Sequence, residues 1–416
     1  MDFNDTPEEA AFRAEARAWL EANTEYQKPG GPLQDPLGER IDDATLQAAK
    51  AWQKKKADAG WACIRWPAEY GGRGATAIQG VIWSQEEAKF DTALNIFSIG
   101  HGMCGPTIMA HGTPEQRQKW LPGLLSGEEI WCQLFSEPSA GSDLAGLRMT
   151  AVRDGDEWVV NGQKTWTTGA QFCDWGILVA RHDPNVAKHA GLTFFVVDMH
   201  APGIEVRPIT QINGGQGFNE VFYSDVRIPD AYRLGEVGDG WRVSITTLMN
   251  ERASIGGMTG GGGGVGDLMR LAAELEIDGA AAIEDRAVRE TIAGFYVRSK
   301  GVELTGRRTL SALSQGKMPG PEASLMKLIV TRLIQEMAAY AVELQGTAGA
   351  TTDPELTPQA GRWQERYLAI PGLRIAGGTD EVLRNIIAER VLRLPPSVRM
   401  DKNVAYKDVP TGPPNA

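Results

Sequence analysis

Two stretches of this sequence carry residue types able to hold a flat, phosphate-bearing ligand. The first is Gln133-Leu134-Phe135-Ser136-Glu137-Pro138-Ser139-Ala140-Gly141-Ser142-Asp143-Leu144-Ala145-Gly146. Its Ser, Gly and Pro content reads as a strand end running into a turn. Gly141 and Gly146 allow close backbone approach, and Ser136 and Ser142 set hydroxyls beside free backbone N–H groups, which suits a ring edge and a pyrophosphate. The second stretch is Asn161-Gly162-Gln163-Lys164-Thr165-Trp166-Thr167-Thr168, a strand ending in the plane of Trp166 with the Thr168 hydroxyl two residues on. Positions i and i+2 of a strand face one way, so both can address one ligand. Taken alone, a Gly-rich turn is more often plain structure than a cofactor cradle. The dipeptide Glu251-Arg252, taken alone, is usually a solvated helix face.

Three segments of different periodicity must position these residues. Up to about residue 125 the pattern is helical. Thr6-Pro7-Glu8-Glu9 and Thr113-Pro114-Glu115-Gln116 are capping boxes with Pro at the first helical position. Helices are expected over 43–59, 76–89 and 96–110, with a loop at Gly30, Gly31, Pro32 and Pro36. From Ile130 to about Gly235, the runs 158–160, 177–180, 192–197, 204–206 and 220–223 predict short strands. Asp154-Gly155-Asp156, Asn161-Gly162 and Pro202-Gly203 separate them, giving a small antiparallel β-domain; spacing alone also allows a barrel or sandwich. Helical periodicity returns over 241–255, 282–314, 322–346 and 379–392. The run Gly260–Gly264 should break or loosen a helix, at about 1 kcal/mol per Gly, or make room for a bulky ligand. After Pro395-Pro396 a poorly ordered polar tail is expected. The domain bounds that follow are 1–127, 128–237 and 238–395, with a tail over 396–416.

The 416 residues suffice for two or three domains and a sizeable core. A net charge of −11 argues against a nucleic-acid partner, whose phosphates it would repel. No apolar run approaches the roughly 20 residues of a membrane span. The start, Met1-Asp2-Phe3-Asn4-Asp5, lacks a signal or transit pattern. Cys63, Cys104, Cys132 and Cys173 lie far apart, and the histidines form no His-x-x-x-His pair, so no metal site is expected. Reduced thiols suit a cytoplasmic location.

Ser-Glu-Pro-x-x-Gly-Ser-Asp-x-x-Gly at 136–146, followed by Asn-Gly-x-Lys-x-Trp-x-Thr at 161–168, closely resembles the flavin-cradling region of the acyl-CoA dehydrogenases. The resemblance runs from Asp2 to about Leu394, and Trp66-Pro67-Ala68-Glu69-Tyr70-Gly71-Gly72 and the segment from Arg117 to Glu128 extend it. It implies an α+β fold: an N-terminal helical domain, a middle antiparallel β-domain and a C-terminal helical bundle. It implies FAD, with Ser136 at the pyrimidine edge, Trp166 against the ring and Thr168 near its reactive nitrogen. Gln133, Leu134, Phe135, Gly141, Ser142 and Thr167 complete that cradle, although Leu134 and Phe135 are hydrophobic where relatives are not. Thr379, which caps the last helix, and Glu381 belong to the nucleotide end, and Glu343, Gly346 and Thr347 to the cross-subunit half of the FAD site. The last three stand in Glu343-Leu344-Gln345-Gly346-Thr347-Ala348-Gly349, with acid for amide and Thr for Gly. The family's Arg-x-x-Phe-Gly element, which reaches a neighbouring subunit's FAD, is not found between Met269 and Ile292.

Dehydrogenating an acyl thioester needs a base for the weakly acidic α-proton and an oxidant for the β-hydride. Most of the family place the base, a Glu, in the turn before the last helix. Here that turn is Ala376-Gly377-Gly378-Thr379. A minority, including the long-chain and isovaleryl enzymes, place it in a helical Glu-Arg pair, which Glu251-Arg252 resembles. The expected function is dehydrogenation of a branched or bulky acyl-CoA, in fatty acid or steroid degradation, with electrons passed to an electron-transferring flavoprotein. Ser142, Arg252, Gly377 and Gly378 would line the substrate site, in a homo- or heterotetramer. The alternatives are a partner subunit of a heteromeric dehydrogenase with little activity alone, and a flavin monooxygenase on the same fold.

Overall fold

The computed structural model describes residues 5–27, 41–255, 264–315, 320, 324–397, 401 and 404–409, with the backbone alone at 252–255, 310, 313 and 314. The chain is α+β, with a sheet segment between two helical ones. Helices α1 (Pro7–Asn23), α2 (Asp43–Asp58), α3 (Ala77–Glu87), α4 (Gly105–His111) and α5 (Pro114–Ser126) precede the sheet. The strands are β1 (Trp131–Leu134), β2 (Thr150–Asp154), β3 (Glu157–Thr168), β4 (Trp175–Arg181), β5 (Leu192–Asp198), β6 (Ile204–Ile209) and β7 (Phe218–Pro229). Then come α6 (Gly240–Ile255), α7 (Val265–Glu274), α8 (Arg286–Ser314), α9 (Ser324–Leu344), α10 (Arg362–Leu373) and α11 (Asp380–Ile386). The boxes at Thr6 and Thr113 form as their sequences predict, each hydroxyl accepting the N–H three residues on. The expected loop at Gly30–Pro36 and the glycines up to Gly263 lie outside the described residues. Gly264 is described and opens α7, a helix the glycine run concealed.

Two compact units cut across chain order. One joins residues 1–35, 76–92 and 255–395; the other joins 36–75, 93–254 and 396–416. In the second unit the sheet runs β1-β4-β2-β3-β7-β6, with β5 on the other edge of β4. It is mixed rather than wholly antiparallel, because β1 and β4 pair in parallel from Trp131↔Trp175 to Leu134↔Leu178. The forty residues or so between them, holding the β2–β3 hairpin, supply the long crossover that parallel pairing needs. Strands β4 and β5 are apolar on both faces. Ile177, Val179, Phe194 and Val196 enter a core shared with Trp120, Leu121 and Val243. Leu178, Ala180, Phe195 and Val197 enter the other core, with Val160, Val221 and Tyr223. Strand β3 also differs from expectation, since it continues through Asn161-Gly162 where a turn is predicted. The Asn161 side chain closes a bulge in β7 by bonding the Asp225 side chain and N–H, each at 2.9 Å. Gly162 is required there, because a Cβ would stand 2.9 Å from Met149 Cα.

The helical unit packs α7, α8, α9 and α10 around Leu268, Leu271, Ile292, Phe295, Met337 and Trp363. Its α1 and α3 are joined by Glu86, whose side chain is 0% exposed yet charged. Arg13, Arg17 and Lys89 reach it at 3.0, 2.9 and 2.7 Å. Burial alone would raise its pKa; the Arg17, Lys89 and Arg13 hydrogen bonds outweigh that and hold it at about 2, against an ordinary 4.5. A carboxylate with a lowered folded pKa stabilises the fold above its unfolded value and ceases to do so as pH falls towards the folded one. The wild type should therefore lose stability between pH 4.5 and about 2 partly through Glu86. Glu86→Gln should flatten the melting temperature across that window and lower the stability at pH 7 by at most ~3 kcal/mol, because Arg17 and Lys89 are partly solvated. Parallel pH–melting profiles of the two proteins would show whether this carboxylate is responsible.

Candidate active site

The turn at 136–146 and the end of β3 are joined by a buried ion pair. Lys164 Nζ, on a side chain 0% exposed, lies 2.9 Å from Glu137 Oε1. Burial pulls the Lys164 pKa down, against the pull of Glu137. Further hydrogen bonds surround the pair. Lys164 donates to Phe135 O at 3.0 Å, and Glu137 accepts from Arg148 N at 2.6 Å and Met149 N at 3.0 Å. Thr165 N donates to Ser136 O at 2.8 Å, which brings the two stretches side by side.

Strand β3 gains one residue against β7 between Lys164↔Val221 and Thr167↔Asn219. Trp166 sits in that bulge with φ +59°. The bulge breaks the alternation at Lys164 and Thr165, which are both buried, and turns the indole outward; beyond it Trp166 and Thr168 flank the buried Thr167. Trp166 is 58% exposed, and its ring meets Phe218 edge-on at 5.9 Å. Thr168 and Ser136 are half-buried and Ser142 is exposed. A Cβ at Gly141 would meet nothing within 4 Å, so the turn is open there. Gly146 is different: a Cβ would come 2.9 Å from Asp143 Oδ2, so its own turn uses the space. Leu134 and Phe135 point into the two cores, and Thr167 is 1% exposed with a buried, unpartnered hydroxyl. Their side chains are therefore closed to an external ligand. Exposed indole, half-buried hydroxyls and an open glycine turn fit a flavin with its pyrophosphate.

Glu251 lies at the end of α6, half-buried. Helix α6 is pinned to α4 by Thr107–Thr247 at 2.9 Å and His111–Thr246 at 2.8 Å, while Val243 enters the core. That placement brings Glu251 Oε2 within 3.3 Å of Gln133 Nε2, which donates to it from the middle of β1. Two residues expected to serve different roles, base and cofactor contact, are hydrogen-bonded neighbours. The Arg252 side chain lies outside the described ones.

The helical unit holds the other expected residues. The Thr379 hydroxyl caps α11 by accepting Val382 N at 3.2 Å. Lys327 donates to Gly378 O at 2.7 Å, and Arg374 holds Asp380 through Nε at 2.9 Å and Gln335 at 2.9 Å. Gly377 and Gly378 take φ +66° and +102°, the left-handed region. Glu381 is exposed in the first turn of α11. Glu343, Gly346 and Thr347 are exposed on or beside a 3-10 turn over Gly346–Ala350, which Gln364 fastens to Gln345 and Ala348 O at 2.9 and 3.0 Å. Glu137, Lys164, Lys327 and Arg374 received no role from sequence. Lys164 alone carried a signal, a charge at an inward position of a strand. Among the described residues no group of three or more His, Cys, Asp or Glu could hold a metal.

Three family models match: acyl-CoA dehydrogenase N-terminal domain over 6–128, middle domain over 132–226 and C-terminal domain over 238–392. The chain is 36% identical to acyl-CoA dehydrogenase IpdE1 of Mycobacterium tuberculosis, over 92% of this chain and 97% of that one. It is 40% identical to acyl-CoA dehydrogenase FadE34 of the same organism, over 86% of this chain and 49% of the relative, so it spans about half that protein's length. Among solved structures it resembles one titled Tcur3481-Tcur3483 steroid ACAD, with a TM-score of 0.80, 29% identity, and 95% and 100% of the two chains covered.

The ion pair makes a direct expectation. Lys164→Met leaves Glu137 buried without its cation and should cost about 3–5 kcal/mol. Lys164→Met with Glu137→Leu should cost less than the single change. Denaturant titration of the variants checks this; equal or additive losses would mean that the pair is not coupled.

Proposed function

The chain belongs to the acyl-CoA dehydrogenase family, and we propose that it α,β-dehydrogenates a bulky acyl-CoA with Glu251 as base. The observation carrying this reading is the Glu251–Gln133 hydrogen bond, which sets the carboxylate on β1 three residues before Ser136. Ser136, Trp166 and Thr168 would hold the flavin ring and Ser142 the pyrophosphate. Bound FAD supplies the hydride acceptor. Glu251 takes the α-proton on a carboxylate oxygen, and the Gln133 amide orients that carboxylate. Electrons leave to an electron-transferring flavoprotein.

Two features support a branched or ring-bearing acyl group. Gly377 offers no side chain where most of the family carry the base, and a similar structure is titled a steroid ACAD. The absence of Arg-x-x-Phe-Gly between Met269 and Ile292 supports a tetramer in which a second kind of chain completes FAD sites; one FAD per chain in a pure homotetramer would refute it. No described helix is long and apolar enough to cross a membrane. Four unpaired cysteines support a cytoplasmic location.

Glu251→Gln keeps shape and removes the proton acceptor. The rate of flavin reduction by the best substrate should fall about 10²–10⁴-fold, or roughly 3–5 kcal/mol of barrier, while FAD stays bound. Adding Gly377→Glu should recover part of the activity on straight-chain thioesters. The recovery is limited because a Glu there must adopt φ +66°, a strain of about 1–2 kcal/mol. Stopped-flow reduction over straight, branched and cyclic thioesters tests both. Parent-like reduction by Glu251→Gln would remove the base assignment and favour the partner-subunit reading.

A further inference from the structure

The C-terminal segment, expected to be loose, is packed where it is described. Ala405 forms a β-bridge with Ala187, Tyr406 N donates to Val186 O at 2.8 Å, and Lys407 N donates to Pro184 O at 3.0 Å. This lays the segment along the loop after β4 and brings Tyr406 to the turn that carries Ser142. The Tyr406 hydroxyl donates to Gly146 O at 2.9 Å.

Arg181 supports the same turn from within. It is 4% exposed, and among the described residues no carboxylate lies within ion-pair distance of it. Its guanidinium instead donates to Ala145 O at 2.6 Å, Leu147 O at 3.1 Å and Lys188 O at 3.0 Å. The Tyr406 ring covers it, 3.4 Å from the guanidinium carbon. A buried cation without a counter-ion depends on such carbonyls and on a π face for compensation. Lys188 adds the outer tie, reaching Asp143 at 2.9 Å and also pairing with Asp401. The carbonyls of residues 145, 146 and 147 are thus all held by side chains, and one of those side chains arrives from a point 260 residues away in sequence.

We propose that residues 404–409 form a strap, with Tyr406 as a positioning residue that fixes the turn bearing Ser142 for the FAD pyrophosphate. This rests on the proposed role of Ser142. Removing the ring uncovers Arg181 and frees Gly146 O, so the turn gains freedom that must be lost again when the phosphate binds. The same loss is unnecessary while the strap is in place.

The test uses the full chain with FAD as the probe. Dissociation constants come from reconstitution of apoprotein, and amide exchange over 143–147 is followed by mass spectrometry. Tyr406→Ala should weaken FAD about tenfold, the equivalent of ~1.4 kcal/mol, and speed exchange at residues 146 and 147. Turnover at saturating FAD should stay near the parent's. Tyr406→Phe keeps the ring and loses one hydrogen bond, so it should fall between, weakened about three- to fivefold; it carries the test if Tyr406→Ala fails to fold. Lys407→Ala, on an exposed side chain, should match the parent. Unchanged FAD affinity in Tyr406→Ala, or an effect no larger than that of Lys407→Ala, overturns the strap. Ser142→Ala separates the two ideas. If it retains FAD like the parent, the role given to Ser142 fails and the positioning role with it. If it weakens FAD while Tyr406→Ala does not, only the strap fails.

Discussion

The arrangement of the sheet-bearing unit depends on one buried charge pair, Lys164 with Glu137. Taking both ions out of water is costly, and their mutual attraction alone does not offset it. The cost is met because almost every hydrogen-bonding direction is used, by Phe135 O on one side and by Arg148 N and Met149 N on the other. Three separate pieces of chain therefore meet at one point. An apolar pair of similar volume would pack as well but would not dictate which carbonyl or N–H lies where. The spacing between the Ser136 turn and the Trp166 bulge follows from these fixed bonds.

The two bulges of the β3–β7 pair belong to the same logic. One adds a residue to β7 at Asp225, the other adds a residue to β3 at Trp166. Being on opposite strands they cancel in register, so the strands pair normally again at Thr168↔Phe218. Between them the register is shifted by one residue. A large aromatic is placed outside a strand whose neighbouring positions, Thr165 and Thr167, are buried. A non-glycine residue at φ +59° is strained. The buried Lys164 before it and the sealed Thr167 after it leave the backbone little alternative.

Much of this was legible in the sequence, and the parts that were not share a cause. Local rules located the capped helices at Thr6 and Thr113, the cap at Thr379 and the apolar strands β4 and β5, because those signals lie within a few residues. The motif residues Ser136, Trp166 and Thr168 were legible through family pattern. The bulge that exposes Trp166 was not, because it is set by β7, over fifty residues away. Asn161-Gly162 looked like a hairpin turn, but its partner is Asp225 across the sheet. Helix α7 was hidden by the glycines before it, although Val265, Leu268, Leu271 and Ala272 have helical spacing. Arg181 and Tyr406 showed nothing locally, since their meaning lies in each other.

The turns before Ser136 and Thr379, in separate units, are built in one way. Lys164 binds Phe135 O, and Lys327 binds Gly378 O. No described peptide bond is cis, and in a trans peptide the N–H points opposite to the C=O. Fixing those carbonyls on buried ammonium groups therefore directs the N–H groups of Ser136 and Thr379 the other way. These are the residues whose types and positions suit a ring edge and a phosphate. Lys327 contributes further by its charge, near the first turn of α11 where the helix already favours an anion. A cation behind the peptide and an N–H in front of it is an orientation that water could not maintain.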